Sequence, residues 1–452
     1  MEKLHENDLF LEKIKTLINE NKNEVLKKEL SNFHYADVAE IIKQISLDEA
    51  IHIVKLLESD ISAEALAEVD ESFRERIIRK LSAKEIAEEI EELDTDDAAD
   101  LVGELPEVLQ EKVLSKIEDT EHSQDIRELL NYEEGTAGAL MAKELVSVNE
   151  NLSVINCVRE MRKQAKEVTR VHSIYVINSK NKLLGRLSLK DLLTASTNSK
   201  VKNIYIPNVD FVNVNEDVNE VANIMSKYDL EAIPVVNDKK QLLGRITIDD
   251  VLDIIKEEAD KDYQLAAGIS KEVEANDNIF QLTRARLPWL FLGLIGGLGS
   301  VFILKDFEEI MIKSELRSLF FYTPLIAAMA GNVGVQSSAI IVQGIANQVI
   351  KGSLINRLFK EIGLGLINGL ILSIVLIIFG EIINQDMLLS LTVAGSMMSV
   401  IILSALIGTF VPIVLHRQGF DPAIATGPFI TTANDIFGIF LFFYIAKSIL
   451  GF

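Results

Sequence analysis

Five long apolar segments follow Arg286, and they restrict the fold more than any other feature of the chain. They cover residues 287–304, 319–350, about 362–380, 387–415 and 422–446. Each is long enough to cross roughly 30 Å of hydrocarbon as a helix. Five such runs within the last 166 residues leave too little polar surface to solvate a globule. Residues 287–452 are therefore expected to form a transmembrane domain of five helices.

The charge of the chain divides at the same place. Its net charge is −23, yet from Leu287 onward 8 Lys and Arg stand against 9 Asp and Glu. The first 286 residues thus carry almost the whole excess. An acidic polar part argues against nucleic acid, which requires basic patches, and favours cationic partners. The single cysteine, Cys157, excludes an intrachain disulfide and a thiolate metal cluster. The opening MEKLHENDLF lacks the apolar core of a signal peptide.

Loop charges set the expected orientation. Lys351, Arg357 and Lys360 follow the second segment, and His416 and Arg417 follow the fourth. Only Glu381 and Asp386 follow the third. The loop after the first is mixed, with Asp306, Glu308, Glu309 and Glu315 against Lys305, Lys313 and Arg317. Arg284 and Arg286 precede the first segment. The N-terminal part is expected in the cytosol and the C-terminus outside.

Two segments carry groups that hydrocarbon does not favour. In the second, TPLIAAMAGNVGVQSSA combines Pro324, Gly331, Asn332, Gly334 and Gln336. That composition suggests an interrupted helix, tolerated only inside protein or beside a water-filled cavity. In the fifth, ITTANDIFGIFLFF holds Asp435, the one charged side chain between Asp421 and Lys447. A carboxylate at mid-depth costs about 2.5–3.5 kcal/mol on insertion scales, so it reads as part of a cation pathway. Thr431 and Thr432 share its helical face at i−4 and i−3, while Phe440, Phe442 and Phe443 suit lipid or packing. The pairs Gly293/Gly297 and Gly365/Gly369 have the spacing of close helix contacts.

Residues 1–131 show short amphipathic runs such as YADVAEIIKQIS and AKEIAEEIEELD, with boundaries every 12–16 residues. That pattern predicts an all-α, superhelical layer. A duplication follows. IYVINSKNKLLGRLSLKDLL (174–193) and IPVVNDKKQLLGRITIDDVL (233–252) are identical at ten of twenty positions, at an offset of 59. Each copy reads strand, turn, strand, helix, preceded by an extended stretch and a helix. The pair resembles tandem cystathionine-β-synthase (CBS) domains, an α/β fold. In that family a G-x-x-[ST]-x-x-D ending can hold a nucleotide ribose, here Gly185, Ser188, Asp191 and Gly244, Thr247, Asp250. Both aspartates also suit a helix N-terminus without any ligand.

Beyond the duplication, Asp250, Asp253, Glu257 and Asp260 fall on one helical stripe, and Ile248, Leu252, Ile255 and Ala259 on another. Asp96 and Asp100 form an earlier acidic pair. Like charges at this spacing repel by a few tenths of a kcal/mol. Taken together in so acidic a region, they suggest divalent-cation sites. All-oxygen ligands favour Mg²⁺, Ca²⁺ or Mn²⁺ over zinc or copper.

The whole order resembles the MgtE family of magnesium channels: acidic helical domain (1–131), CBS pair (132–252), connecting or plug helix and linker (253–286), membrane domain (287–452). YEEGTAGALM, RLPWL, PLIAAMAGNVGVQSSA and GPFITTANDIFG carry the resemblance. It implies a homodimer in the plasma (inner) membrane with a pore between the subunits. It places the pore carboxylate at Asp435, its mouth at Thr431 and the broken second helix at Gly331, Asn332 and Gly334. It places cytosolic sensor acids at Asp96, Asp100, Asp217, Asp229, Asp250, Asp253 and Glu258. It also implies an adenine nucleotide such as ATP at the CBS pair, near Ser188 and Asp191. Val335, Asn219 and Lys261 depart from the family pattern.

The expected function is potential-driven Mg²⁺ uptake, closed when cytosolic Mg²⁺ bridges the acidic surfaces. The alternatives are a less selective carrier of Mn²⁺ or Co²⁺, and a channel gated mainly by nucleotide. An anion channel is disfavoured by an intramembrane Asp without a paired Lys or Arg. An enzyme is disfavoured too: there is no P-loop, no acid–base pair in a pocket motif and no His/Cys metal set.

Overall fold

The computed structural model describes residues 2–166, 168, 170–271, 273, 277–308, 317–346, 350, 353–425 and 427–451, with side chains from Phe10 onward except that of Ala425. Of the loop charges discussed above, Glu309, Lys313, Glu315 and Lys351 lie outside the described residues, as do 347–349 at the end of the second apolar segment. The chain divides into two compact units, Met1–Ile255 and Lys256–Phe452.

The first unit opens with ten helices among the described residues. They are α1 (Glu2–Asn19), α2 (Asn23–Leu30), α3 (Tyr35–Lys43), α4 (Leu47–Leu56) and α5 (Ser59–Ala67), then α6 (Glu71–Ile78), α7 (Ala83–Ile90), α8 (Thr95–Gly103), α9 (Glu107–Leu114) and α10 (Thr120–Leu129). Their starts follow from local chemistry. Ser46 and Glu49 form a capping box at α4, and Ser82 and Glu85 form another at α7. From α2 to α10 each helix has ten residues or fewer, too short to be stable alone, and relies on burying its apolar face. Alternate helices stack, α3 on α5, α5 on α7 and α7 on α9. This produces the layered all-α arrangement expected from the 12–16-residue spacing. Ile42, Ile53, Leu66, Ile77 and Ile86 fill its core.

The CBS region contains α11 (Ala137–Leu140), β1 (Val146–Asn149), α12 (Val154–Gln164), β2 (Ile174–Ile177), β3 (Leu183–Leu187) and α13 (Leu189–Thr194). It continues with β4 (Ile206–Pro207), β5 (Val212–Asn213), α14 (Val218–Tyr228), β6 (Ala232–Val236), β7 (Leu242–Thr247) and α15 (Ile248–Ala266). The sheets run β1-β2-β3-β4 and β5-β6-β7. In each, a parallel pair precedes an antiparallel pair.

The duplication holds in register as well as in sequence. Ile174 pairs with Leu187 and Ile233 with Ile246, and Val176 pairs with Gly185 and Val235 with Gly244. The copies join through reciprocal bonds, Leu183 N to Lys240 O and Leu242 N to Asn181 O, both 2.9 Å. Each of these bonds is the other with the repeats exchanged, which is the signature of a local two-fold relation.

Among the described residues the second unit holds five helices of membrane-spanning length and apolarity: α16 (Ile279–Asp306), α17 (Ser318–Ala346), α18 (Leu354–Ile382), α19 (Met387–Arg417) and α20 (Pro428–Leu450). The fifth apolar segment does not begin as α20. A 3-10 turn, Pro422–Ala425, precedes it, and Gly427 at φ +54° starts the helix with Pro428 in the first turn.

One expectation fails here. α17 is continuous through Gly331, Asn332 and Gly334 rather than interrupted. Its glycines serve packing instead of a break. A Cβ on Gly334 would lie 1.8 Å from Asn434 Nδ2, and a Cβ on Gly408 would lie 2.3 Å from the Gly334 carbonyl oxygen. α17, α19 and α20 therefore meet through the missing side chains.

The glycine pairs separate in the same way. Gly365 abuts Ile402, and Gly369 abuts Met398. Gly293 and Gly297 have nothing within 4 Å, and the close approach of α16 to α20 uses Gly296 against Thr432. Of the phenylalanines, Phe442 and Phe443 are fully buried while Phe440 is 47% exposed.

Candidate functional site

Two groups of residues carry the chemistry, one in each unit. In the membrane unit, Asp435 lies half-buried on α20, one helical turn beyond Thr431. A Cβ on Gly331 of α17 would stand 3.5 Å from Thr431 Cγ2 and 3.9 Å from Asp435 Oδ1. The small residue thus lets α17 and α20 run side by side at this level. Thr431 Oγ1 donates into the first turn of its own helix, to the carbonyls of Gly427 and Pro428.

Asn332 follows Gly331 and is exposed, as is Gln336 one turn on. Asp435, Thr431, Asn332 and Gln336 place carboxylate, hydroxyl and amide groups on two adjacent helices. Among the described residues, Asp435 has no hydrogen-bond or ion-pair partner. Thr432 does not share this role, because it is the residue that fills the notch at Gly296. Asn434 turns inward. It is fully buried at Gly334, and neither of its amide atoms finds a partner among the described residues.

The start of α20 also touches the end of α15. A Cβ on Gly427 would lie 2.1 Å from Ala266 O, and one on Gly268 would lie 2.5 Å from Pro428 Cγ. Close by, Asp262 of α15 is held above its ordinary carboxyl range by burial and then by the charges of Asp421 and Glu258. The sequence reading did not single out Asp262 or Asp421. Asp262 stands four residues beyond Glu258 and continues its helical face.

In the first unit, Asp96 of α8 and Asp250 of α15 come together, although 154 positions separate them in sequence. Asp96 is 9% exposed. Burial, then the charges of Asp97, Asp250 and Asp94, raise its carboxyl well above the ordinary range. Asp97 keeps a face to solvent. The protein packed around its carboxyl, and then Asp250, Asp100, Glu64 and Asp94, push it up to about 7. Asp250 is raised by burial, opposed by the bonds it accepts from the Thr247 hydroxyl and amide.

This node includes three expected acids, Asp96, Asp100 and Asp250, and two that the sequence reading missed, Asp94 and Asp97. Within DTDDAAD the acids are too close together for spacing alone to rank them. Among the described residues, no three of His, Cys, Asp and Glu stand in an arrangement that could hold a metal ion. The donors are hard oxygens, and their repulsion is the kind a divalent cation relieves.

The other expected sensor acids lie apart from the node. Asp217 caps α14 by accepting from Asn219 N at 2.9 Å. Asp229 closes α14 in the left-handed region at φ +51°. It lines an open cleft of about 300 Å³ with Glu231, Met225, Leu252 and Ile255. Asp253 and Glu258 are exposed along α15, whose one buried residue among those described is Val251. The expected nucleotide residues are engaged locally. Ser188 caps α13, accepting from Asp191 N at 3.0 Å and donating to Asp191 Oδ2 at 2.6 Å.

Comparison with known proteins bears on all of this. Residues 33–135 match the MgtE intracellular N domain, 137–198 and 201–257 the CBS domain, and 323–445 MgtE, a divalent cation transporter. The magnesium transporter MgtE of Bacillus subtilis is 33% identical over 321 residues, 71% of this chain and 71% of that protein. The chain belongs to the MgtE family. A magnesium transporter MgtE of Thermus thermophilus is 34% identical over 326 residues, 71% of this chain and 72% of its own length.

Among solved structures, the cytosolic domain of the Mg²⁺ channel MgtE in complex with ATP is 30% identical, with a TM-score of 0.51. It covers 53% of this chain and 98% of its own. The soluble part of a magnesium transporter is 26% identical with a TM-score of 0.50, covering 55% of this chain and 98% of its own. With five helices long and apolar enough to span, this MgtE-family chain is an integral membrane protein.

Proposed function

We propose that this chain forms a homodimeric Mg²⁺ channel, driven by the membrane potential and closed by cytosolic Mg²⁺. The observation that carries the proposal is the set of polar side chains Asp435, Thr431, Asn332 and Gln336 on two adjacent helices of membrane-spanning length. Exposed amides beside an unpaired carboxylate are costly against lipid and suit an aqueous path. A second copy of the chain facing these side chains would enclose that path and double its carboxylates.

Mg²⁺ gives up its water reluctantly. Carboxylate, hydroxyl and amide oxygens suit a hydrated ion better than a tight cage would. The names of the Bacillus and Thermus relatives point to the same ion. Closure is assigned to the acidic residues. Ions that bind one arrangement better shift the population toward it. Hydrated Mg²⁺ held by one or two carboxylates of the node around Asp96, Asp97 and Asp250 would offset the charges that raise Asp96 and Asp97, and Asp217, Asp229, Asp253 and Glu258 would supply further bridging points. ATP, seen with the related cytosolic domain, is assigned to the CBS pair near Ser188 and Asp191. The N-terminal unit is placed in the cytosol and the C-terminus outside, at the plasma membrane.

The test is uptake by the reconstituted protein. Asp435→Asn and Asp435→Ala are expected to lower Mg²⁺ flux at least tenfold while the protein still elutes as a folded dimer. Normal flux through either variant would overturn the pore assignment.

A further inference from the structure

We infer that Arg245 is a built-in counter-ion of the acidic node around Asp96, and that it sets the divalent-ion concentration at which the node fills; the inference rests on the sensor reading above. The duplication supplies the first observation. Arg186 and Arg245 occupy the same position in the two repeats, and both belong to an LLGR run. Arg186 is exposed, whereas Arg245 is 5% exposed. One copy of this arginine has therefore been drawn into the protein.

Its surroundings explain what holds it there. Arg245 Nη2 stands 3.5 Å from Asp94 Oδ2, and Nη1 donates to the Arg170 carbonyl at 3.0 Å. Among the described residues its Nε is buried without a partner, as is the neighbouring Tyr175 hydroxyl. A guanidinium remains charged at any physiological pH and pays heavily for burial unless anions compensate it. Two polar contacts leave it under-compensated, and the acids beyond Asp94 supply the rest. Asp250 lies within its field. Of the other cations near α8, Lys143 is committed to Glu128 at 2.7 Å and Arg74 to Glu104.

A divalent ion that joins the node meets this fixed positive charge. Occupancy is then a competition, with Arg245 holding the acids partly neutralised until the free ion is concentrated enough to displace it. Removal of the guanidinium does not undock α8. Glu144 Oε2 accepts from Thr95 N and Oγ1, and Thr95 Oγ1 accepts from Lys143 N.

The experiment is limited proteolysis of the full-length protein in detergent across a titration of Mg²⁺ alone. Arg245→Gln retains a donor toward the Arg170 carbonyl. It is expected to move the midpoint of protection about tenfold lower in Mg²⁺. Arg245→Met, which keeps the apolar stem, carries the same expectation should the Gln variant not fold. Arg245→Lys is expected to remain within about twofold of the unaltered protein, a rescue that loss of packing alone would not produce. An unchanged or higher midpoint in the Gln or Met variant overturns the counter-ion assignment, as does a Lys variant that behaves like them. If the unaltered protein shows no Mg²⁺-dependent protection, the sensor reading itself falls, and this inference with it.

Discussion

Glu89 of α7 is 8% exposed, and Ser62 of α5 is fully buried against it, with their side-chain oxygens 2.6 Å apart. Ser62 Oγ also lies 3.2 Å from the Glu58 carbonyl oxygen. Ser62 donates to Glu89 Oε2, a bond that favours the charged carboxylate in a place where burial disfavours it. Burial pushes the Glu89 carboxyl up to about 7; the Ser62 bond opposes this, and the charges of Glu88, Glu92 and Glu85 add to it. Since the folded value exceeds the unfolded one, stability is full below the unfolded value and falls as pH rises toward about 7. Urea unfolding of residues 1–255 is expected to show a loss of about 1–3 kcal/mol from this group between about pH 4.5 and 7. Glu89→Gln should flatten that slope, and an unchanged slope would refute the assignment. None of this is legible in AKEIAEEIEELD, where Glu89 is one acid among six on short helices. Asp435 was legible because no other charge stands within ten residues on either side, which isolates it in a way that an acidic stretch does not.

Helices and strands were the most readable level of the chain. The repeat offset of 59 carries through to the strand register, because a period-two alternation cannot slip without turning every side chain over. The continuity of α17 was not readable. Glycine, asparagine and proline together suggest a break when only propensity is considered, but Gly334 is required by Asn434 and Gly408, which lie 100 and 74 positions away. The same contact yields a stability test. Gly408→Ala would press a methyl group against the backbone of α17, an overpacking cost of about 1–3 kcal/mol. Thermal unfolding in detergent should fall by roughly 3–10 °C. Gly363→Ala, where nothing lies within 4 Å, should leave the midpoint almost unmoved. Equal effects from the two would show that α17 and α19 are not held by this contact.

At the scale of the whole molecule, the division of charge is the property with the largest functional consequence. Neutral spanning helices and an acidic N-terminal part fit passive entry of a cation followed by its detection. For a divalent ion, 100 mV supplies about twice the 2.3 kcal/mol of a single charge, enough to support an accumulation on the order of 10³-fold. Reconstituted protein is therefore expected to take up Mg²⁺ faster when vesicles are made inside-negative, with no added nucleotide triphosphate. Uptake indifferent to the imposed potential, or dependent on hydrolysis, would contradict a channel. Domain order, helix count and the membrane assignment could all be read from the sequence, since each is written in composition over tens of residues. Which acids meet across the fold could not, because that depends on long-range packing.

The joint at Gly427 gives the molecule a mechanical character. Here the backbone turns at φ +54°, tight against the Ala266 carbonyl, and any side chain would wedge the two apart. Asp435 stands eight residues further along a continuous helix, about 12 Å of rise. A helix of that length is stiff, so a displacement at the joint reaches the carboxylate without being absorbed by slack chain. The rod that carries Asp435 is the same rod that meets α15 at the joint, so the two ends move as one piece.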